Sequence, residues 1–144
     1  MYLFLSFTDR RYLNHLVESS RPKEACGFLL GRALNEGFVV LKIIPATNML
    51  DSNSAFKISP SEVLKASEEA EMLGLEVIGV YHSHPAPPEP SVIDLHYMKA
   101  SSMVWLIISM LDGSIGAYYP RGEDFFEVRD TSIALKGYTV YFIS

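Results

Sequence analysis

The residues best suited to chemistry in this chain lie in one short segment just past its middle, from His82 to Asp94. His82 and His84 follow an apolar run, residues 75–81, whose composition is typical of a buried strand. Because side chains alternate across a strand with a period of two residues, the two histidines leave the same face and can share one metal ion. Two histidines and one aspartate suit Zn²⁺, and they leave a fourth position open for water, as a catalytic zinc site requires.

The segment between the second histidine and the aspartate determines how the carboxylate returns to the imidazoles. Four of the residues at 85–90 are prolines, and prolines cannot continue a central strand, so the chain must turn there. Ser91 is placed to be the N-cap of a helix, with Asp94 at the N3 position reaching back toward the turn. That geometry would bring one carboxylate and one hydroxyl close to the histidines.

A zinc hydrolase also needs a general base near the zinc-bound water, and a candidate lies much earlier in the chain. Glu24 stands at the mouth of an apolar segment that contains Gly27 and Gly31, in the sequence P-K-E-A-C-G-F-L-L-G. Together with the later H-S-H-P and S-x-x-D, this segment closely resembles the JAMM (MPN+) family of zinc metallopeptidases. The resemblance covers about residues 5–130. One departure is that six residues separate His84 from Ser91, one fewer than the common family spacing, while S-x-x-D is intact.

The family resemblance implies a role for each of these residues. It implies that His82, His84 and Asp94 bind one zinc ion per chain, that Glu24 is the general base, and that Ser91 helps to stabilise the oxyanion. Without the resemblance, Glu24 could be an ordinary surface carboxylate and Ser91 a plain helix cap.

The same resemblance implies an isopeptidase that hydrolyses the bond after the C-terminal Gly-Gly of ubiquitin or a ubiquitin-like modifier. The tail would be added as an extended strand to a sheet edge, and Asn48 and Phe56, in a polar loop at residues 46–58, would border the substrate groove. Two alternatives remain open. One is an enzyme that processes the C-terminus of a sulfur-carrier protein; the other is a non-catalytic scaffold, although scaffolding relatives characteristically lack zinc ligands.

Three other residues with reactive side chains have simpler interpretations. Cys26 has the pattern of a small buried core residue on a strand rather than that of a fourth ligand, which would close the open metal position. His15 and His96 are expected to be surface or packing residues, since His96 points to a different helix face from Asp94.

Composition limits the class of protein further. A chain of 144 residues with 49% hydrophobic and 20% charged residues is expected to form one globular domain, residues 1–144. Its net charge of -5 argues against a nucleic-acid partner, and its single cysteine fits a reducing, cytoplasmic location. The apolar residues 1–7 are too short to span a membrane; with residues 138–143 they could form a homodimer surface or complete the core.

Hydrophobic periodicity and turn residues predict three helices and seven to eight strands in mixed order. The expected helices cover residues 8–19, 59–74 and 91–101, and the expected strands cover residues 1–7, 25–31, 37–45, 75–81, 103–110, 115–119, 125–129 and 138–143. This order predicts an α/β fold. The family resemblance implies a curved mixed β-sheet flanked by helices, of the cytidine-deaminase-like kind.

Overall fold

A mixed β-sheet flanked by three helices forms the framework of the protein. The computed structural model describes residues 1–50 and 55–121 and three later strands, with side chains described through residue 120. In chain order the elements are β1 (Tyr2–Ser6), α1 (Phe7–Ser20), β2 (Cys26–Leu34), β3 (Gly37–Ala46), α2 (Pro60–Met72), β4 (Glu76–His84), α3 (Val92–Met98), β5 (Val104–Ser109), β6 (Ile115–Arg121), β7 (Asp124–Glu127), β8 (Ile133–Leu135) and β9 (Tyr138–Phe142). The α/β fold with a mixed sheet is therefore confirmed.

The sheet has the strand order β7-β6-β5-β4-β2-β3-β1-β9-β8. The pairs β4–β5 and β1–β3 are parallel, and the other pairs are antiparallel. Register shifts interrupt β2 at Leu29/Leu30 and Leu30/Gly31, and such bulges bend a strand and increase its twist. β4 and β2 lie at the centre of the sheet, so residues near their ends have neighbouring strands on both sides.

Side-chain caps set where the helices begin. Ser6 accepts a hydrogen bond from the Asp9 N–H at 3.0 Å, so α1 begins at Phe7, slightly earlier than the expected start at Thr8. Ser59 caps α2 in the same way, and Pro60 occupies the first turn, as the sequence predicts. α3 ends at Met98, earlier than the expected residue 101.

The strands differ from expectation in two places. β4 does not end at Tyr81 but continues through His84, because its pairing with β5 continues to Ser109. The short strand β8 was not expected, since three residues are too few for an alternating pattern. Residues 51–54 of the expected polar loop, residues 128 and 129 of one expected strand and residue 143 of another lie outside the described residues.

The two faces of the sheet carry different hydrophobic clusters. On the face that α1 covers, called the α1 face, Leu13 and Val17 pack with Leu29 and Leu106. On the other face, called the α2 face, Ala66 of α2 and Met98 of α3 pack with Ile107, Trp105 and Val80. Within the described part of the chain, no helix is both long and apolar enough to cross a bilayer.

Candidate metal centre and active site

The two histidines lie at the carboxyl end of β4, at the centre of the sheet. Cys26 of β2 lies beside His82 on one side, and Ile107 of β5 lies beside it on the other. Both imidazoles are buried: His82 is 0% exposed and His84 is 7% exposed. The period-two geometry inferred from the sequence is therefore present in the structure.

The three expected ligand atoms converge at one point. His82 Nε2 lies 2.9 Å from His84 Nε2 and 3.2 Å from Asp94 Oδ2, and His84 Nε2 lies 3.0 Å from the same oxygen. Zinc bonds of about 2.0–2.1 Å in a tetrahedron would place ligand atoms about 3.3 Å apart, close to these separations. Two imidazole nitrogens and one carboxylate oxygen are also donors that zinc accepts. The group is able to hold a metal ion.

A capping box at the start of α3 positions the aspartate. The Ser91 N–H donates to Asp94 Oδ2 at 2.8 Å, and the Asp94 N–H donates to Ser91 Oγ at 3.1 Å. Asp94 is 4% exposed, whereas Ser91 is exposed. A carboxylate oxygen fixed by its own helix cap thus faces the two imidazoles.

The proline-rich segment before α3 is anchored to β6. The Tyr118 hydroxyl donates to the Pro88 carbonyl at 2.6 Å. A Cβ on Gly116 would lie 2.4 Å from the same oxygen, so only glycine allows this approach. The segment that returns Asp94 to the histidines is held in place by these two contacts.

The charges of the three groups respond to this crowding. Burial opposes ionisation of Asp94, but hydrogen bonds from His82 and His84 outweigh it and hold the pKa of the carboxyl well below its usual range. Burial lowers the pKa of His82. Burial also disfavours the charged form of His84, yet the contact with Asp94 prevails and raises its pKa. The site therefore combines a firmly ionised carboxylate with one imidazole that favours the neutral, ligating form.

Glu24 lies beside His84, two residues before the start of β2. Its Oε1 is 4.0 Å from His84 Nε2, and the residue is 2% exposed. Burial raises the pKa of Glu24 to about 7; the charge of His84 lowers it in part, and that of Asp94 adds to the increase. A carboxyl group that titrates near neutral pH beside a metal-binding group is suited to move a proton in either direction.

Ser83 connects the end of β4, which carries the histidines, with the segment that carries Glu24. The sequence alone does not indicate this role. The Ala25 N–H donates to Ser83 Oγ at 2.8 Å, and the Ser83 N–H donates to the Ala25 carbonyl at 2.9 Å. Ser83 is 0% exposed. Its position between His82 and His84 was the available signal, because a polar residue there must find a buried partner.

Asn48 and Phe56, expected in the substrate groove, lie next to the site. The Asn48 amide donates to the Glu24 carbonyl at 3.2 Å. The Phe56 ring stacks on the His82 ring, with centroids 4.5 Å apart and an interplanar angle of 26°. Trp105, a buried residue of the cluster on the α2 face, meets His82 edge-on with centroids 5.8 Å apart.

The remaining reactive side chains are not placed at the centre. Cys26 is buried, and its Sγ faces the Ala46 carbonyl at 3.8 Å. Burial raises the pKa of the Cys26 thiol to about 12, so the thiolate needed for ligation or attack is disfavoured. His15 and His96 are exposed.

This fold and this ligand set define a class of α/β protein that can hold one metal ion between the end of a central strand and the start of a helix. A profile of prokaryotic homologs of the JAB domain matches residues 10–119. The chain belongs to this family, which is the family that the sequence motifs indicate.

The chain is also similar in sequence to three named proteins. The chain is 47% identical over 94 residues to a desampylase of Pyrococcus furiosus, an alignment that spans 65% of this chain and 64% of that protein. It is 32% identical to a desampylase of Haloferax volcanii, over 86% of this chain and 88% of the relative. It is also 33% identical to a probable TtuB-protein conjugate cleaving protease of Thermus thermophilus, over 76% of this chain and 70% of the relative.

Solved structures support the fold. A solution structure of a Desulfitobacterium hafniense protein matches with a TM-score of 0.77 and 27% identity over 87% of each chain. The crystal structure of a JAB1/MPN domain protein from Archaeoglobus fulgidus matches with a TM-score of 0.52 and 23% identity, over 83% of this chain and 89% of that chain.

Proposed function

We propose that this protein is a zinc-dependent isopeptidase that hydrolyses the bond after the C-terminal Gly-Gly of a ubiquitin-like modifier. The observation that carries the proposal is the convergence of His82, His84 and Asp94 within hydrogen-bond distance, with Glu24 Oε1 4.0 Å from one of them. A buried carboxyl group whose pKa is raised to about 7, beside a three-ligand metal site, is suited to proton transfer during hydrolysis.

The chemistry that zinc supplies when bound is a lowered pKa for its water, to about 7, and polarisation of the substrate carbonyl. Glu24 accepts the proton of the attacking water and later donates it to the leaving lysine amine. In the metal-free protein, burial raises the pKa of Glu24 to about 7, so both its protonated and its ionised forms are accessible near neutral pH, as a group that accepts and then donates a proton requires.

Ser91 is suited to assist at the carbonyl oxygen. Its Oγ accepts the Asp94 N–H at 3.1 Å, and a hydroxyl that accepts one hydrogen bond still has its own proton to donate. Ser91 is exposed at the surface beside Asp94, so a substrate can reach it. Loss of one such donor costs about 2.7–4 kcal/mol in other hydrolases.

The substrate class rests on the relatives and on an open sheet edge. The relatives named above are desampylases and a protease that cleaves TtuB-protein conjugates. In addition, β1 pairs with β3 only at Gly37–Val39, and no described strand covers residues 41–46 of β3 on the side away from β2. An extended tail can add there as a strand, with β3 between it and β2.

The test is cleavage of a ubiquitin-like protein joined through its Gly-Gly tail to a lysine side chain. The zinc-loaded wild type should release the lysine, and Glu24→Gln should bind zinc equally well but turn over at least about 100-fold more slowly. Glu68→Gln, which changes an exposed carboxylate of α2, is the matched control and should retain full activity.

The outcomes separate the remaining possibilities. Full activity of Glu24→Gln would exclude it as the base. A zinc-loaded wild type that leaves the conjugate intact but processes a sulfur-carrier C-terminus would replace the proposed substrate. A wild type that fails to hold zinc would indicate a scaffold.

The metal assignment has its own test. Asp94→Ala removes an oxygen that both histidines approach within 3.2 Å, so zinc affinity should fall by more than the 10–100-fold typical of changes beyond the ligands themselves. The readout is zinc content after dialysis, compared with Asp112→Ala as an exposed control. Unchanged zinc content in Asp94→Ala would contradict the ligand assignment.

A further inference from the structure

The two histidine ligands differ in how their second ring nitrogen is supported. His84 is hydrogen-bonded to the main chain of Glu89. His82 Nδ1 is buried and has no hydrogen-bond partner among the residues that the structure describes. A histidine that binds metal through Nε2 almost always donates its other N–H to an acceptor, which fixes the ring orientation. His82 therefore needs another source of orientation.

Two aromatic rings enclose His82 instead. Phe56 stacks on its face, with centroids 4.5 Å apart at 26°, and Trp105 meets it edge-on, with centroids 5.8 Å apart at 87°. The rings of Phe56 and Trp105 also pack edge-on, with centroids 6.5 Å apart. Trp105 Nε1 donates a hydrogen bond to Ser101 Oγ, which fixes the indole ring. Stacked and edge-on contacts at these separations restrict rotation of the imidazole.

The Asn48 side chain forms hydrogen bonds with the residues on either side of Phe56. Its amide nitrogen donates to the carbonyls of Glu24 and Ala55, at 3.2 and 3.1 Å. Its amide oxygen accepts from the N–H groups of Leu50 and Lys57, at 3.0 and 3.2 Å. The two donors and two acceptor sites of the amide are thus all used within the protein, which leaves Asn48 little capacity to bind a substrate.

We propose that Phe56 and Trp105 orient the His82 ring for metal binding in place of a hydrogen bond to Nδ1, and that Asn48 is a positioning residue that ties this aromatic support to the main chain of Glu24. The inference rests on the proposed zinc function, and it gives both residues expected in the substrate groove a role in building the site. One short segment then aligns a metal ligand and the general base together.

The experiment compares zinc dissociation constants, measured by competition with a chromophoric chelator. Phe56→Leu keeps an apolar side chain but removes the flat ring, so zinc should bind about 10–100-fold more weakly, the range typical of residues that orient ligands. Phe56→Tyr keeps the ring and should bind zinc as the wild type does. Phe38→Leu is the matched control, since Phe38 packs against the cluster on the α1 face.

Asn48→Ala tests whether Asn48 links the segment that carries Phe56 to the main chain of Glu24. It should weaken zinc binding less than Phe56→Leu does, and it should lower kcat with little change in KM, because it releases the Glu24 main chain rather than a substrate contact. A rise in KM with unchanged kcat would show that Asn48 binds substrate and would overturn its positioning role.

Other results are equally decisive. Zinc affinity of Phe56→Leu equal to that of the wild type would overturn the aromatic support, whatever happens to KM. If Phe56→Leu fails to fold by circular dichroism, Phe56→Met provides the same comparison. A wild type that binds no zinc would instead defeat the proposed function itself, so the two failures are distinguishable.

Discussion

The two faces of the sheet bury different kinds of side chain. The cluster on the α1 face consists of hydrophobic residues, among them Leu29, Leu106 and Ile108, each 0% exposed. On the α2 face the aromatic residues Phe56 and Trp105 adjoin His82, and His82 in turn contacts the buried carboxylate of Asp94. The α1 face is mostly apolar, although its buried Tyr81 hydroxyl has no hydrogen-bond partner among the described residues, whereas the α2 face carries the group that is able to hold a metal ion.

The difference shows how a small protein can support such a site. Burial of a charged or unpaired polar group costs free energy, and His82 Nδ1 and Glu24 are both buried in this way. Burial of aliphatic side chains on the opposite face contributes about 1.5–3 kcal/mol for each large residue. Apolar side chains buried on both faces thus offset the cost of the buried polar groups.

Two neighbouring residues of β5, Leu106 and Ile107, test whether the two faces act independently. Leu106 lies beside Tyr81 and belongs to the α1 face, while Ile107 lies beside His82 and belongs to the α2 face. Truncation of either to alanine should lower the free energy of unfolding by about 2–5 kcal/mol, because both are fully buried. Only Ile107→Ala should also weaken zinc binding, because it removes packing beside a ligand.

Chemical denaturation of the metal-free proteins and chelator competition measure the two effects separately. Equal loss of zinc affinity in Leu106→Ala and Ile107→Ala would show that the faces are not independent.

The destabilising effect of buried Glu24 can be measured through the pH dependence of the free energy of unfolding. The folded-state pKa of Glu24 is raised from 4.5 to about 7, so in the metal-free protein its destabilising effect is absent below pH 4.5, grows as pH rises to 7, and is complete above 7. Glu24→Gln removes this titration. We expect the metal-free variant to be more stable than the wild type by up to about 3 kcal/mol at pH 8, and equally stable near pH 4.

Urea denaturation at several pH values measures this difference, with Glu68→Gln as the exposed control that should change nothing. A Glu24→Gln protein that is less stable than the wild type at pH 8 would mean that the carboxylate contributes to stability, contrary to its burial.

Much of this architecture can be predicted from local patterns. The apolar run before His82 predicts a buried strand, the spacing of the two histidines predicts a shared face, and Ser91 with Asp94 predicts the helix cap; the structure has all three features. Glu24 is different, because nothing in its immediate sequence distinguishes a buried carboxyl group from a surface one beside Lys23. Its assignment required the family resemblance.

Contacts across the sheet could not be predicted in this way. The position of Ser83 opposite Ala25, and that of Ile107 beside His82, depend on strand order and on register shifts at Leu29/Leu30. Register is set by bulges and by packing between distant segments, which no local pattern specifies. The stack of Phe56 on His82 depends in the same way on the return of a loop.

Ser83 provides the smallest and most selective test of how the segment before β2 is held against β4. Ser83→Ala leaves the Ala25 N–H without its acceptor, which should cost about 1–3 kcal/mol of stability. Ser6 is the comparison serine: it ends β1, which is not adjacent to β4 in the sheet, and its Oγ accepts the Asp9 N–H at 3.0 Å.

Both serine variants should therefore be destabilised, with a smaller loss for Ser6→Ala because that bond is partly exposed. Only Ser83→Ala should reduce turnover of the zinc-loaded enzyme, because Ala25 adjoins Glu24 and the released main chain no longer holds the base at a fixed distance from His84. If turnover falls equally in both variants, or in neither, the bond between Ser83 and Ala25 serves stability alone, and the alignment of Glu24 must come from Asn48.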